Sequence, residues 1–160
     1  MKCCYCSTLA VILLVLLLAY VKPNMSKNLS KIKQKHVVIT GASSGIGQQF
    51  AVFFSKLHYE VTVVARREPE LQQLKAELLQ KGAKAVNVVA ADLSTTDGVN
   101  LLTDQIKEQQ VGCFVNCSGI THKVPNDLTD LDAREVEQML QLHVVHATTL
   151  IQKVNQQFKK

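Results

Sequence analysis

Apolar residues along this chain fall into two kinds of run. Val37-Val38-Ile39, Val61 to Ala65, Ala85 to Ala90 and Val111 to Cys117 are short blocks rich in β-branched residues, the composition of strands buried on both faces. Between them, apolar positions recur at steps of three and four, the mark of amphipathic helices. The first such stripe is Ile46, Phe50, Phe53, Phe54 and Leu57, and the second is Leu71, Leu74, Leu78 and Leu79. A third lies within Thr96 to Gln109, with Val99, Leu102 and Ile106 inward. The last and longest runs through Val136, Met139, Leu140, Val144, Ala147, Leu150, Ile151, Val154 and Phe158. Its start carries Asp132 as cap with Glu135 three residues on, in capping-box register. Pro69 sits in the first turn of the second helix and Gly82 just past its end, as helix boundaries prefer. Strands alternating with helices predict an α/β fold: a Rossmann-like, doubly wound parallel sheet of about four strands in the order 3-2-1-4.

The first 35 residues follow neither pattern. Cys3 to Val21 carries no charge over nineteen residues, enough to span a hydrocarbon core. A cleaved signal peptide is the competing reading, but Ala19-Tyr20-Val21 puts large residues where cleavage needs small ones. The expected organisation is a transmembrane anchor at 1–22, a basic linker at 23–35 and a folded domain at 36–160. Lys22, Lys27, Lys31, Lys33 and Lys35 follow the anchor and only Lys2 precedes it, which predicts a single-pass protein with its domain on the cytoplasmic side.

Charge agrees with this division. The formal net charge is +5, yet the first 35 residues hold six lysines and no acid, while the rest holds twelve bases and thirteen acids. A nearly neutral body excludes nucleic acid as the partner of the folded part. Cys3, Cys4 and Cys6 lie at the membrane edge, where S-acylation competes with plain packing. Cys113 and Cys117, four apart on one predicted strand, are about 13 Å apart and beyond disulfide reach. No cysteine or histidine spacing resembles a zinc site, and His143 with His146 lacks a third ligand.

The candidate chemistry lies in Thr40 to Gly47, TGASSGIG, between the first strand and first helix. Strand, glycine turn and helix together aim backbone N–H groups and a helix N-terminus at a phosphate. Gly41 permits the tight turn, Gly45 lets backbone approach a pyrophosphate, and Gly47 lets the helix sit close on the strand. The spacing is G-x-x-x-G-x-G, unlike the G-x-G-x-x-G of the usual dinucleotide fingerprint. At the end of the second strand stand Arg66 and Arg67, where a carboxylate would mark NAD. A guanidinium there grips a 2′-phosphate with paired charge-assisted bonds, which points to NADP(H) ahead of NAD(H), with Arg66 the main ligand and Ser43 a helper.

The glycine spacing resembles the cofactor motif of the short-chain dehydrogenase/reductase family. Two further landmarks appear in order: Asp92-Leu93 after the third strand, and Asn116-Cys117-Ser118-Gly119 after the fourth, where the family usually has N-N-A-G. The resemblance covers roughly His36 to Phe158 and implies cofactor contacts from Gly41, Ser43, Ser44, Gly45, Ile46, Gly47, Arg66, Arg67, Asp92, Leu93, Asn116 and Gly119. It implies hydride transfer between nicotinamide and a carbonyl or alcohol, with acid/base work by a tyrosine and a lysine four residues later. No Y-x-x-x-K exists here: the three tyrosines are Tyr5, Tyr20 and Tyr59, and Val63 follows Tyr59 at that spacing. His143 falls where the family has an asparagine that helps hold a relay water. The expectation is therefore the cofactor half of an NADP(H)-dependent reductase of the endoplasmic reticulum membrane, without the Ser/Tyr/Lys part. Anchored relatives act on steroid, long-chain 3-oxoacyl or 3-ketosphinganine substrates, so a lipid ketone is the expected substrate class. The alternative is an inactive, membrane-tethered dinucleotide-binding or interaction protein. In either case the stripe from Val136 to Phe158 is expected to be partly uncovered and to favour self-association.

Overall fold

The computed structural model describes residues 31–120 and 132–157. The predicted anchor at 3–21, Cys3, Cys4, Cys6, Tyr5, Tyr20 and Phe158 lie outside the described residues, as does most of the linker. Among the described residues no helix is long and apolar enough to cross a membrane.

Four parallel strands form one sheet in the order β3-β2-β1-β4, as the alternation predicts. They are β1 (His36–Thr40), β2 (Glu60–Ala65), β3 (Ala85–Ala90) and β4 (Cys113–Asn116). β4 is shorter than its apolar run: Val111 is buried ahead of the ladder and Cys117 belongs to the loop beyond it. The helices are α1 (Gly45–Lys56), α2 (Glu68–Gln80), α3 (Thr96–Ile106), α4 (Ala133–Leu140) and α5 (Ala147–Gln157). Between the last two, Gln141–His146 forms a π turn that interrupts the single long helix expected from the sequence.

Residues alternate between the faces of each strand. Val38, Val64 and Val89 pack with Val99, Leu102 and Ile106 of α3 and with Leu150 and Val154 of α5. Val37, Ile39, Val61 and Val63, at the intervening positions, are fully buried, as are Leu71 and Leu78 of α2. α2 begins with Pro69 in its first turn and ends at Gly82, whose φ of 101° suits only glycine well. Thr95 caps α3 by accepting from the Gly98 amide at 3.1 Å, and Asp132 caps α4 by accepting from the Arg134 amide at 3.0 Å.

Three apolar stripes differ from the periodic pattern. α1 buries Gly47, Ala51, Phe54 and Ser55, while Ile46, Phe50 and Leu57 face outward. At Gly47 the helix lies so close to the β1 turn that only a small residue fits, and farther along Ser55 satisfies its hydroxyl on the Ala51 carbonyl at 2.8 Å. Leu79 of α2 is likewise exposed. Along the last helix the π turn shifts the phase, so Leu142, Ala147, Leu150 and Val154 are buried while Leu140, Val144 and Ile151 are exposed.

Candidate functional site

The carboxyl ends of the strands open onto a cleft of about 330 Å³. Its walls are the turn after β1, the end of β2, the loops after β3 and β4, and Leu142 of the π turn. In a parallel sheet this edge is where ligands bind, because loops and helix N-termini converge there. Gly41, Ser43, Ser44, Ile46, Gly47, Arg66, Arg67, Asp92, Leu93 and Gly119 all line it. Gly45 and Asn116, also singled out from the sequence, do not.

The glycines have separable roles. Gly41 and Gly45 adopt φ of 63° and 59°, a left-handed backbone that a side chain disfavours. A Cβ on Gly41 would overlap the Cys117 carbonyl, and one on Gly47 would overlap the Gly41 carbonyl, so the turn, α1 and the loop after β4 are in close contact. A Cβ on Gly45 would meet nothing within 4 Å, which leaves that stretch of backbone open to approach. Ser44 precedes α1 in an extended conformation and its hydroxyl makes no capping bond. The first-turn amides of α1 therefore have no side-chain cap, the arrangement that suits an anion.

Thr40, fully buried at the end of β1, joins the start of the glycine turn to the end of β4 and the loop beyond it. Its Oγ1 donates to Asn116 Oδ1 at 2.7 Å and accepts from the amides of Cys117 and Ser118 at 3.1 Å each. Ser118 Oγ adds a 3.2 Å bond to the same Asn116 oxygen. Asn116 is thus a strut behind the cleft wall. This role of Thr40 is absent from the sequence reading, since its partners lie more than seventy positions away.

On the opposite wall, Asp92 Oδ1 accepts from the Ser94 amide at 2.9 Å and its hydroxyl at 2.7 Å. Burial raises the Asp92 pKa, but the two Ser94 bonds and the nearby Arg66 charge outweigh it and hold the carboxyl below its usual value. Arg67 pairs with Glu70 at 3.3 Å in the first turn of α2, while Arg66 lines the cleft beside the Asp92 wall. Cys117, in the cleft, and Cys113 are free thiols whose pKa values burial pushes up. Tyr59 is buried ahead of β2, at the other end of the sheet, where Lys35 Nζ bonds its hydroxyl at 3.3 Å. Among the described residues no three His, Cys, Asp or Glu side chains gather around a common point. His143 Nε2 lies 2.8 Å from the Ile120 carbonyl, and His146 Nδ1 lies 2.9 Å from that of Leu93.

Residues 35–160 match the profile of the short chain dehydrogenase family. The chain belongs to that family. Among its curated relatives, a very-long-chain 3-oxoacyl-CoA reductase of Scheffersomyces stipitis is 31% identical over 76% of this chain and 36% of its own length. An 11-beta-hydroxysteroid dehydrogenase of Pinus massoniana is 38% identical over 55% of this chain and 25% of its own. A solved short-chain dehydrogenase from Sphingobium yanoikuyae, in complex with NADPH, superposes with a TM-score of 0.72 at 28% identity, covering 77% of this chain and 48% of that one. The chain thus spans between a quarter and about a third of these two curated relatives and about half of the solved short-chain dehydrogenase.

Proposed function

We propose that this short-chain dehydrogenase chain binds NADP(H) in the cleft and forms the cofactor half of a membrane-anchored reductase of lipid ketones. The observation that carries the reading is the convergence, on one cleft, of the glycine turn at Gly41 and Gly47, the uncapped start of α1 and the Arg66 side chain. The residues fit the group: backbone without Cβ atoms and free first-turn amides suit a diphosphate, and a cation at the end of β2 suits a 2′-phosphate. On this reading Gly41 to Gly47 hold the diphosphate, with Ser43 and Arg66 on the 2′-phosphate and Arg67 beside them. Asp92 and Leu93 border the adenine, and Gly119 lies along the nicotinamide side with Asn116 supporting it. When held there, NADPH would supply the hydride for reduction of a carbonyl carbon. The NADPH-bound Sphingobium neighbour supports the choice of cofactor over NAD(H).

The two curated relatives' names, a very-long-chain 3-oxoacyl-CoA reductase and an 11-beta-hydroxysteroid dehydrogenase, support a lipid ketone as substrate. An anchor at residues 3–21, in the endoplasmic reticulum membrane with the domain facing the cytoplasm, would bring the cleft to substrates drawn from the bilayer. The 160 residues hold no Y-x-x-x-K, so that proton donor is not among them. A carbonyl reduction without general acid catalysis loses about 100- to 10,000-fold in rate. That same feature favours, as a second reading, a tethered dinucleotide-binding protein without turnover; purified chain that takes up NADPH but reduces no steroid or 3-oxoacyl ketone would support it.

The test is Arg66→Asp. Bonds to a charged group contribute about 1.5–3 kcal/mol, so NADPH affinity should fall about ten- to hundredfold while NADH affinity changes little. Equal losses for the two cofactors would refute the 2′-phosphate assignment.

A further inference from the structure

The π turn Gln141–His146 carries two histidines, and both are bonded to the backbone of cleft walls. Such turns are rare and tend to occur at functional sites. Residues three apart share a face of an α-helix, whereas the wider π turn splays them. His146, 7% exposed, donates from Nδ1 to the Leu93 carbonyl at 2.9 Å. His143 has Nε2 at 2.8 Å from the Ile120 carbonyl and 3.3 Å from the Ile120 amide. One nitrogen cannot serve both, and the shorter contact makes Nε2–H the donor. Gly119 leaves room for this ring, since a Cβ there would come within 2.9 Å of His143 Cε1.

Leu93 follows β3 and Ile120 follows β4, and these strands are the two outer strands of the sheet. Leu142, the residue before His143, lines the cleft and packs in the same core as Leu93. Neither histidine lines the cleft itself.

We propose that His143 and His146 are positioning residues: they tie the loop after β3 to the loop after β4, fix the width of the cleft, and so set its affinity for the dinucleotide without touching it. This rests on the cofactor reading above.

Donor placement supplies the test, because an asparagine amide reproduces the depth of Nδ1 and a glutamine amide that of Nε2. In the full chain in detergent, His146→Leu and His143→Leu should each weaken NADPH binding about fivefold, the size of one lost hydrogen bond. His146→Asn and His143→Gln should bind like the parent, and the exchanged pair His146→Gln and His143→Asn should not. Leu78→Ala, a core change in α2, controls for stability: it should lower the melting temperature and leave affinity alone. Hydrogen exchange of the chain without cofactor reads the tie separately. His146→Leu should speed exchange in the loop after β3, and His143→Leu in the loop after β4. Affinity that tracks melting temperature across all variants, or equal binding by donor-keeping and donor-lacking variants, overturns the proposal. If the parent chain takes up no NADPH, the cofactor reading and the effect on affinity both fail, and the exchange data alone decide whether the tie exists.

Discussion

His36 is a residue whose charge state should be felt in the stability of the whole domain. It opens β1 with its ring buried and Nε2 at 2.8 Å from Thr62 Oγ1. Burial pushes its pKa down, the Glu60 carboxylate pulls it partly back, and the net value lies below the ordinary one. Glu60 and Thr62 approach from β2, Asn87 of β3 donates to Glu60 at 2.9 Å, and Lys35 and Lys84 line the same end of the sheet. The folded ring is neutral, whereas the unfolded chain takes up a proton near pH 6.5. The contribution of His36 is therefore complete above about pH 6.5 and is lost as pH falls toward the folded pKa. Asp92 works in a different window: its lowered pKa gives stability that is present above about pH 4 and lost below. Urea unfolding between pH 7 and 5 should show stability falling with pH in the parent and a flatter profile in His36→Gln. Parallel profiles would contradict the assignment. At this scale the glycines were legible from the sequence, because positive φ and close approach are demands that glycine alone meets cheaply. Thr40 and His146 were not, since a hydroxyl or a ring reveals its partner only when distant strands meet.

Elements were legible wherever burial followed period. The four strands and the caps at Pro69, Gly82 and Asp132 lie where the pattern puts them. Ile46 and Phe50 of the α1 stripe face outward because the start of the helix packs too closely on the β1 turn to seat them, whereas Phe54, farther along, is buried; periodicity carries no information about that distance. The π turn inserts its phase shift without any sequence signal. Two substitutions separate the faces of α5. Leu150→Ala removes a side chain that is 1% exposed and should cost about 2–5 kcal/mol in unfolding free energy. Ile151→Asp, one position on, should leave stability within about 0.5 kcal/mol. If Leu140, Val144 and Ile151 mediate self-association, Ile151→Asp should also shift sedimentation toward the monomer; an unchanged oligomer would place that contact elsewhere.

For the whole molecule, the fold class and strand order followed from alternation alone, while the reach of the chain into its family was legible only in its motifs, a glycine turn without a Y-x-x-x-K, because half a Rossmann sheet has the same local pattern as a whole one. The anchor reading belongs to this scale as well. Deleting residues 1–21 should move the protein from the membrane pellet to the supernatant after alkaline carbonate, and retention would mean that another segment binds the bilayer. The most direct test of the central claim is a calorimetric titration of the full chain with NADPH and with NADH, paired with amide exchange in the complex. The account predicts saturable uptake of one NADPH per chain, weaker uptake of NADH, and slowed exchange concentrated at Gly41 to Gly47. Uptake of neither nucleotide, or protection that leaves those amides unchanged, would contradict it.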